Sequence, residues 1–231
     1  MKVIAFPFAG GNMYSFNFLK DILFKKGIEL KVLEYPGRGQ RMRESLLYRI
    51  DHIVEDALDK LVQETREEDY FIYGHSMGGL IGYLVCKEIQ MKSFKKPIKL
   101  IVSGKKAPSK AKYEKLFDLP SNIFWEKVKK LGGIQEELLE EGSIKKFFEP
   151  ILRADFEAVE KYSYLSAANL TIPIDVFYGS EEINDTLDFK NWELETHNKV
   201  EIFEMEGDHF FIYRHAEKLA NHFFQEIKIL R

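Results

Sequence analysis

The chain has 231 residues, 45% of them hydrophobic and 14% aromatic, which is enough to bury a large core in one domain. The formal net charge of −3 argues against a general nucleic-acid binder, and the single cysteine, Cys86, excludes an intramolecular disulfide framework. Apolar runs are too short for a signal peptide or a membrane span. We therefore expect a soluble, cytoplasmic protein and a monomer, with no nucleic-acid or membrane partner.

Predicted strands and helices alternate through the first half of the chain. Short apolar runs indicate the strands, and apolar spacings of three and four residues indicate the helices. Strands are predicted over residues 2–6, 28–34, 98–103 and just before Gly74, and helices over 14–26, 47–66 and 77–91. Such alternation is typical of a mostly parallel sheet flanked by helices.

The alternation stops in the second half of the chain. Residues 105–166 contain no convincing strand, and their apolar spacing predicts helices instead, with Pro150 as a kink. Helices are predicted over residues 122–130, 135–140, 144–162 and 212–229, and strands over 174–178 and 200–203. We therefore predict one α/β domain, residues 1–231, with a helical lid insertion at about 105–166. The apolar stripe of the lid serves mainly core packing and partly an acyl-sized pocket.

The sequence Gly74-His75-Ser76-Met77-Gly78 fits G-x-S-x-G, the nucleophile elbow of α/β hydrolases. A strand that turns at once into a helix brings the backbone close to itself, so a Cβ at position 74 or 78 would collide. Ser76 is therefore the candidate nucleophile. The alternative is a serine in an ordinary glycine-rich turn, and the strand before it, the helix after it and the downstream partners favour the elbow.

Two backbone N–H groups are candidates for an oxyanion hole. The first strand ends in Phe6-Pro7-Phe8-Ala9-Gly10-Gly11, where hydrolases place one donor, and the residue after the nucleophile supplies the other. The donors are predicted to be Met77 and Ala9, with Phe8 as an alternative to Ala9. A plain glycine-rich turn remains the other interpretation of this segment.

The candidate base is His209, which follows the last predicted strand in Gly207-Asp208-His209. The other histidines lie in helical or charged contexts, and His75 is expected to point away from the site. The acid is expected after the preceding strand, because hydrolases order the triad Ser, Asp or Glu, His. Glu182 is the first choice there, and Asp185 and Glu181 remain open as alternatives.

Two other charged residues are given ordinary roles. Arg38 is predicted to be a solvated loop arginine, and Asp155 is predicted to form a local ion pair within the lid helix. No His/Cys cluster, H-E-x-x-H motif or P-loop is present in the sequence, so we expect no metal and no phosphate-binding loop.

Six motifs in order resemble the type II thioesterases, discrete α/β hydrolases that accompany nonribosomal peptide synthetases and polyketide synthases. They are Phe6–Gly11, residues 35–39 (YPGRG), residues 74–79 (GHSMGG), residues 103–108 (SGKKAP), residues 152–156 (LRADF) and residues 207–211 (GDHFF). The resemblance implies an α/β-hydrolase fold and a serine thioesterase that clears acyl groups from the 4'-phosphopantetheine arm of carrier proteins. It implies no further cofactor. Family members usually have Asp where this chain has Glu182.

A lysine-rich segment follows the helix after the elbow, with nine lysines and one acid between residues 92 and 115. Carrier proteins are typically acidic, so Lys105, Lys106 and Lys110 are candidates for steering them, and a solvated basic loop is the alternative. Three other functions remain open: a general carboxylesterase or acyl-CoA hydrolase, an acyltransferase, and a non-catalytic binding protein on the same scaffold.

Overall fold

Six strands form one parallel sheet in the computed structural model, which describes residues 1–65, 68–111, 113–133, 142–166, 168–182 and 187–229. The sheet order is β2-β1-β3-β4-β5-β6, and every neighbouring pair is parallel. The strands are β1 (Lys2–Phe6), β2 (Glu29–Val32), β3 (Tyr70–His75), β4 (Leu100–Ser103), β5 (Ile174–Gly179) and β6 (Val200–Met205). This is the predicted α/β-hydrolase architecture.

Helices cover both faces of the sheet and bury two separate apolar cores. One core joins α2 and α3 to the sheet, and the other joins α1 and the C-terminal helix α8 to the opposite face. The helices are α1 (Asn17–Lys25), α2 (Ile50–Thr65), α3 (Met77–Met91), α4 (Ser121–Leu131), α5 (Gly142–Glu160), α6 (Leu187–Lys190), α7 (Phe211–Arg214) and α8 (Ala216–Ile229). Short 3₁₀ turns span Gly39–Arg41, Ser180–Glu182 and Asn191–Leu194. Because helices cover both faces, central strands such as β3 are buried along their whole length.

The predicted strands are all present, and the main differences concern where helices begin. α1 begins at Asn17 and not at residue 14, because Ser15 Oγ accepts the Asn12 N–H and holds the preceding residues in a turn. The predicted last helix is divided into α7 and α8 at His215. Pro150 lies inside α5, which continues as one helix past it.

Between β4 and β5, the described residues form α4 and α5 and no strand. The predicted helix at 135–140 lies outside the described residues, and the assignment of a lid at 105–166 stays a prediction. No helix in the described ranges is long and apolar enough to cross a membrane.

A buried ion pair joins β5 to the residue before β4. Lys99 Nζ lies 2.8 Å from Asp175 Oδ2 and 2.5 Å from Glu226 Oε2, and His222 Nε2 lies 2.7 Å from the same Asp175 oxygen. The Asp175, His222 and Glu226 ligand atoms lie within 4.8 Å of one another, a spacing that a metal ion could use. The Lys99 ammonium already pairs with both carboxylates of this group.

The parallel strands all point their carboxyl ends toward one edge of the sheet. Phe6 pairs with Gly74, and His75 pairs with Ser103, so the loops after β1, β3 and β4 meet there. Gly179 pairs with Met205, which brings the loops after β5 and β6 to the same edge. This is where open parallel sheets bind their ligands.

Candidate active site

The turn from β3 to α3 holds Ser76 in a strained backbone conformation. Ser76 has φ 53° and ψ −117°, and α3 begins at the next residue. A Cβ on Gly74 would lie 2.1 Å from the Gly78 carbonyl oxygen, and a Cβ on Gly78 would lie 1.9 Å from that of Phe6. The predicted steric reason for both glycines is therefore confirmed. The Ser76 side chain is half-buried at the helix N-terminus, where backbone dipoles favour negative charge.

His209 and Glu182 are in direct contact. His209 Nδ1 lies 2.5 Å from Glu182 Oε1, and Glu182 Oε2 accepts the Gly179 N–H at 2.8 Å. A carboxylate fixed by the backbone can hold the imidazole in one orientation and tautomer. Of the other two candidate acids, Glu181 has an exposed side chain, and Asp185 lies outside the described residues.

Ser76 follows β3 and His209 follows β6, so both lie at the carboxyl edge of the sheet. The His75 and His209 ring centroids are 4.9 Å apart, and His75 precedes Ser76 in the chain. No hydrogen bond between described residues joins the Ser76 hydroxyl to the His209 ring. Such bonds are often long in ligand-free sites and shorten when substrate binds.

His75 packs against the His209 ring, so the expectation that it points away from the site is wrong. Its Nδ1 is 2.9 Å from Ser103 Oγ, which is 3.0 Å from Tyr73 Oη. The ring is fully buried, and this burial, together with nearby His209, lowers the pKa of His75 well below its usual value. A neutral His75 therefore packs against His209 without repelling an imidazolium there. Nothing in the local sequence indicated this contact.

The two predicted oxyanion donors are unoccupied N–H groups in the part of the chain that the structure describes. No hydrogen bond between described residues uses the N–H of Ala9 or of Met77. The loop that carries Ala9 is closed by a bond from Gly11 N to Phe8 O at 2.8 Å. Neither N–H is therefore already committed to another described residue, as the role of an oxyanion donor requires.

Arg38 and Asp155 form a buried bidentate ion pair, so both sequence-based expectations for them are wrong. Arg38 Nη1 and Nη2 donate to the two Asp155 oxygens at 2.6 and 2.8 Å, and the two residues are 2% and 0% exposed. Asp155 Oδ2 also accepts the Gly10 N–H at 2.7 Å. Sequence patterns could not predict a contact between residues 117 positions apart. The pair connects the loop after β2, helix α5 and the loop that carries Ala9.

A cavity of about 890 Å³ adjoins the site between α5 and the loops at the sheet edge. Ala9 lines one side of the cavity. Asp208 and Phe210, which flank His209 in the chain, line the other side. The helical insertion contributes apolar side chains: Trp125, Ile144, Phe148 and Leu152. The predicted apolar stripe therefore has two roles, since Ile151 and Val159 of the same helix are buried in the core.

Comparison with known proteins gives the family. The family model described as "Thioesterase domain" matches residues 1–227. The chain belongs to the thioesterase family. It is therefore a hydrolase that acts on thioesters.

Individual relatives of this thioesterase cover nearly its whole length. It is 28% identical to the gramicidin S biosynthesis protein GrsT of Aneurinibacillus migulanus, over 100% of this chain and 90% of that one. It is 30% identical to the probable anguibactin biosynthesis thioesterase AngT of Vibrio anguillarum, over 89% and 83%. The crystal structure of ClbQ from the colibactin NRPS/PKS pathway superposes with a TM-score of 0.91, 29% identity and coverage of 99% and 97%.

The lysines predicted to steer a carrier protein differ in exposure in this thioesterase. Lys110 is exposed, whereas Lys105 and Lys106 are half-buried. Lys105 Nζ lies 4.5 Å from the centre of the Tyr113 ring, and burial lowers the pKa of Lys105 to about 8. Of the three, Lys110 is thus the one most open to a partner.

Proposed function

We propose that this thioesterase hydrolyses acyl groups from the 4'-phosphopantetheine arm of carrier proteins, through a Ser76 acyl-enzyme. The observation that carries the proposal is the 2.5 Å contact between His209 and Glu182, beside a serine elbow. The relatives support the substrate class, since they are named for gramicidin S and anguibactin biosynthesis and for an NRPS/PKS pathway. The expected role is the clearing of stalled or mis-primed units.

The proposed reaction has two half-reactions. Ser76 Oγ attacks the thioester carbonyl while His209 Nε2 takes the hydroxyl proton, and Glu182 stabilises the resulting imidazolium. The C–S bond then breaks, the pantetheine thiol leaves with the proton from His209, and the acyl group remains on Ser76. Water, deprotonated by His209, then releases the acid and regenerates the Ser76 hydroxyl.

The N–H groups of Met77 and Ala9 are proposed to bind the oxyanion that develops in each half-reaction. Thioesters react more readily than amides, so the glutamate acid is compatible with efficient turnover. No metal or separate cofactor is needed, because the carrier brings the phosphopantetheine. We expect the enzyme to work in the cytoplasm as a monomer.

The acyl group is proposed to occupy the cavity next to Ala9. The cavity is bounded by aromatic and aliphatic side chains from α4 and α5, and an acyl chain buried against them leaves water. In this proposal the insertion between β4 and β5 acts as the lid. The length of acyl chain that fits is set by Phe148 and Leu152.

The carrier protein is proposed to approach the lysine-rich segment. Lys110 provides the exposed positive charge, and Lys105 and Lys106 lie near it in the chain. Lys110→Glu is expected to lower kcat/KM for an acyl-carrier protein at low salt and to leave the rate on a small ester unchanged. An equal rate on the carrier would exclude this docking site.

The deciding experiment is single-turnover hydrolysis of acetyl-phosphopantetheinyl carrier protein, with p-nitrophenyl acetate run beside it. Wild type is expected to clear the carrier with a kcat/KM well above that for the ester. Ser76→Ala is expected to hydrolyse neither substrate. Good ester turnover with an untouched carrier would identify a general esterase. Carrier clearance that survives Ser76→Ala would refute the proposed nucleophile.

A further inference from the structure

The loop between β1 and α1, residues 7–16, is held by side chains from two distant parts of the chain. Tyr35 Oη donates to Pro7 O at 2.9 Å, and Glu34 Oε1 accepts the Met13 N–H at 2.8 Å. Asp155 Oδ2, from α5, accepts the Gly10 N–H at 2.7 Å. The loop that carries Ala9 therefore has partners at its beginning, middle and end.

The contact with Asp155 is made in the tight turn that carries Ala9. The bond from Gly11 N to Phe8 O closes a four-residue turn, and Gly10, its third residue, has φ 75°. A positive φ at that position is characteristic of a type II turn. The Gly10 N–H that Asp155 holds belongs to the peptide that directly follows Ala9. The carboxylate therefore anchors the turn one residue from the proposed donor.

Asp155 depends on Arg38 for its orientation. A buried carboxylate without a partner is costly, and the Arg38 guanidinium satisfies both of its oxygens. Arg38 in turn lies 5.2 Å from the centre of the Tyr35 ring. The arginine therefore fixes the carboxylate so that one oxygen faces Gly10.

We infer that the Arg38–Asp155 pair positions the oxyanion hole, by fixing the turn that carries the Ala9 N–H. The inference rests on the proposed role of Ala9. Because Asp155 belongs to α5, the same pair couples the insertion that walls the acyl cavity to the donor loop. Leu152, one helical turn earlier, packs so closely on this loop that a Cβ at Gly10 would lie 2.6 Å from its Cδ2.

The test compares Asp155→Asn with wild type on one thioester substrate. Misplacing an oxyanion donor weakens only interactions made in the transition state, so we expect kcat to fall about 10- to 100-fold with KM nearly unchanged. An alkyl trifluoromethyl ketone, which forms a tetrahedral adduct with a serine hydroxyl, should lose affinity by the same factor. The matching methyl ketone, which stays trigonal, should bind the two proteins equally.

Two further variants separate positioning from stability. Arg38→Lys keeps a positive charge and the Asp155 carboxylate but loses the bidentate geometry, and we expect it to give a smaller loss in the same two measurements. If Asp155→Asn does not fold, Arg38→Lys tests the positioning role by the same changes in kcat and ketone affinity. Asp175→Asn breaks a second buried ion pair, Lys99–Asp175, at the opposite end of the sheet. It should lower the thermal unfolding temperature and leave kcat and the ketone affinities unchanged.

The outcomes also distinguish this inference from the proposed function. A folded Asp155→Asn enzyme with wild-type kcat and ketone affinity would overturn the positioning role while Ser76→Ala still abolished turnover. An equal loss of affinity for both ketones would also overturn it. So would a loss of kcat that Asp175→Asn reproduces. If Ser76→Ala retained turnover, the proposed function itself would fail, whatever Asp155→Asn did.

Discussion

The two sides of the candidate active site are built in different ways. The elbow that carries Ser76 is made by neighbours in the chain, since the residue whose Cβ would clash with Gly78 O is Gly74, four positions earlier. The β1–α1 loop opposite it is held by Tyr35 and Asp155, which come from other segments. The contact between His209 and Glu182 likewise joins two loops, 27 residues apart.

This difference shows which parts of an active site leave a signature in sequence. A strained local turn restricts residue types within a window of five, so it is visible as a motif. A loop held from a distance needs only one suitable side chain at each contact, and that side chain can lie anywhere in the chain. The predictions below test whether this division is real, in order of expected effect.

Removing the carboxylate that contacts His209 should have the largest effect. In Glu182→Ala, His209 loses the carboxylate that orients it, and we expect kcat to fall about 10³- to 10⁴-fold on a carrier-bound or small thioester. Glu181→Ala is the matched control, because its exposed side chain only borders the cavity, and its kcat should fall far less. The assignment of Glu182 as the acid would be wrong if the two variants behaved alike.

Adding one methyl group to the elbow should destabilise the fold. In Gly74→Ala the new Cβ would lie 2.1 Å from the Gly78 carbonyl oxygen, so the turn between β3 and α3 must open. We expect the free energy of unfolding to drop by about 3 kcal/mol, measured by urea denaturation. Gly142→Ala, at a helix start with open space around it, should change stability little. Wild-type stability for Gly74→Ala would show that the elbow tolerates rearrangement.

Removing one hydrogen bond from a residue far along the chain should destabilise the β1–α1 loop. Tyr35→Phe leaves the buried Pro7 carbonyl without its donor, and we expect a loss of about 1–2 kcal/mol in stability together with a lower kcat. Tyr70→Phe loses a similar bond, to Lys95 O, away from the site, and should lower stability without lowering kcat. Equal kcat values for the two variants would mean that the loop holds its shape without help.

An effect of comparable size concerns the pH dependence of stability and the buried His75. Burial keeps this ring neutral when folded, whereas the unfolded chain binds a proton below a pKa of about 6.5. Stability should therefore fall as pH drops below about 6.5, by about 1.4 kcal/mol per pH unit from this group alone.

The measurement for His75 is urea denaturation at several pH values between 7 and 5. His75→Asn keeps a polar group beside Ser103 and should show a shallower decline than wild type, whereas His52→Asn, at an exposed position, should not. Parallel curves for wild type and His75→Asn would contradict a neutral buried ring.

The sequence predicted much of the fold because its elements are nearly continuous apolar or strongly amphipathic runs. β1 and α3 have the predicted boundaries, and the other strands differ by a few residues at their ends. The division of the last helix at His215 was not predictable, because α7 follows directly on the turn that presents His209. The helix predicted at 135–140 lies outside the described residues.

By itself, the sequence determined the parallel sheet, the Ser76 elbow and the candidate residues for base and acid. These depend on local periodicity and on steric limits within a few residues. Only the tertiary structure decided that Glu182, and not exposed Glu181, contacts His209, that His75 lies under that ring, and that Arg38 and Asp155 are buried partners. Each of these contacts joins segments that are adjacent only after the sheet has assembled. The local sequence around a charged side chain does not indicate which distant residue it will contact.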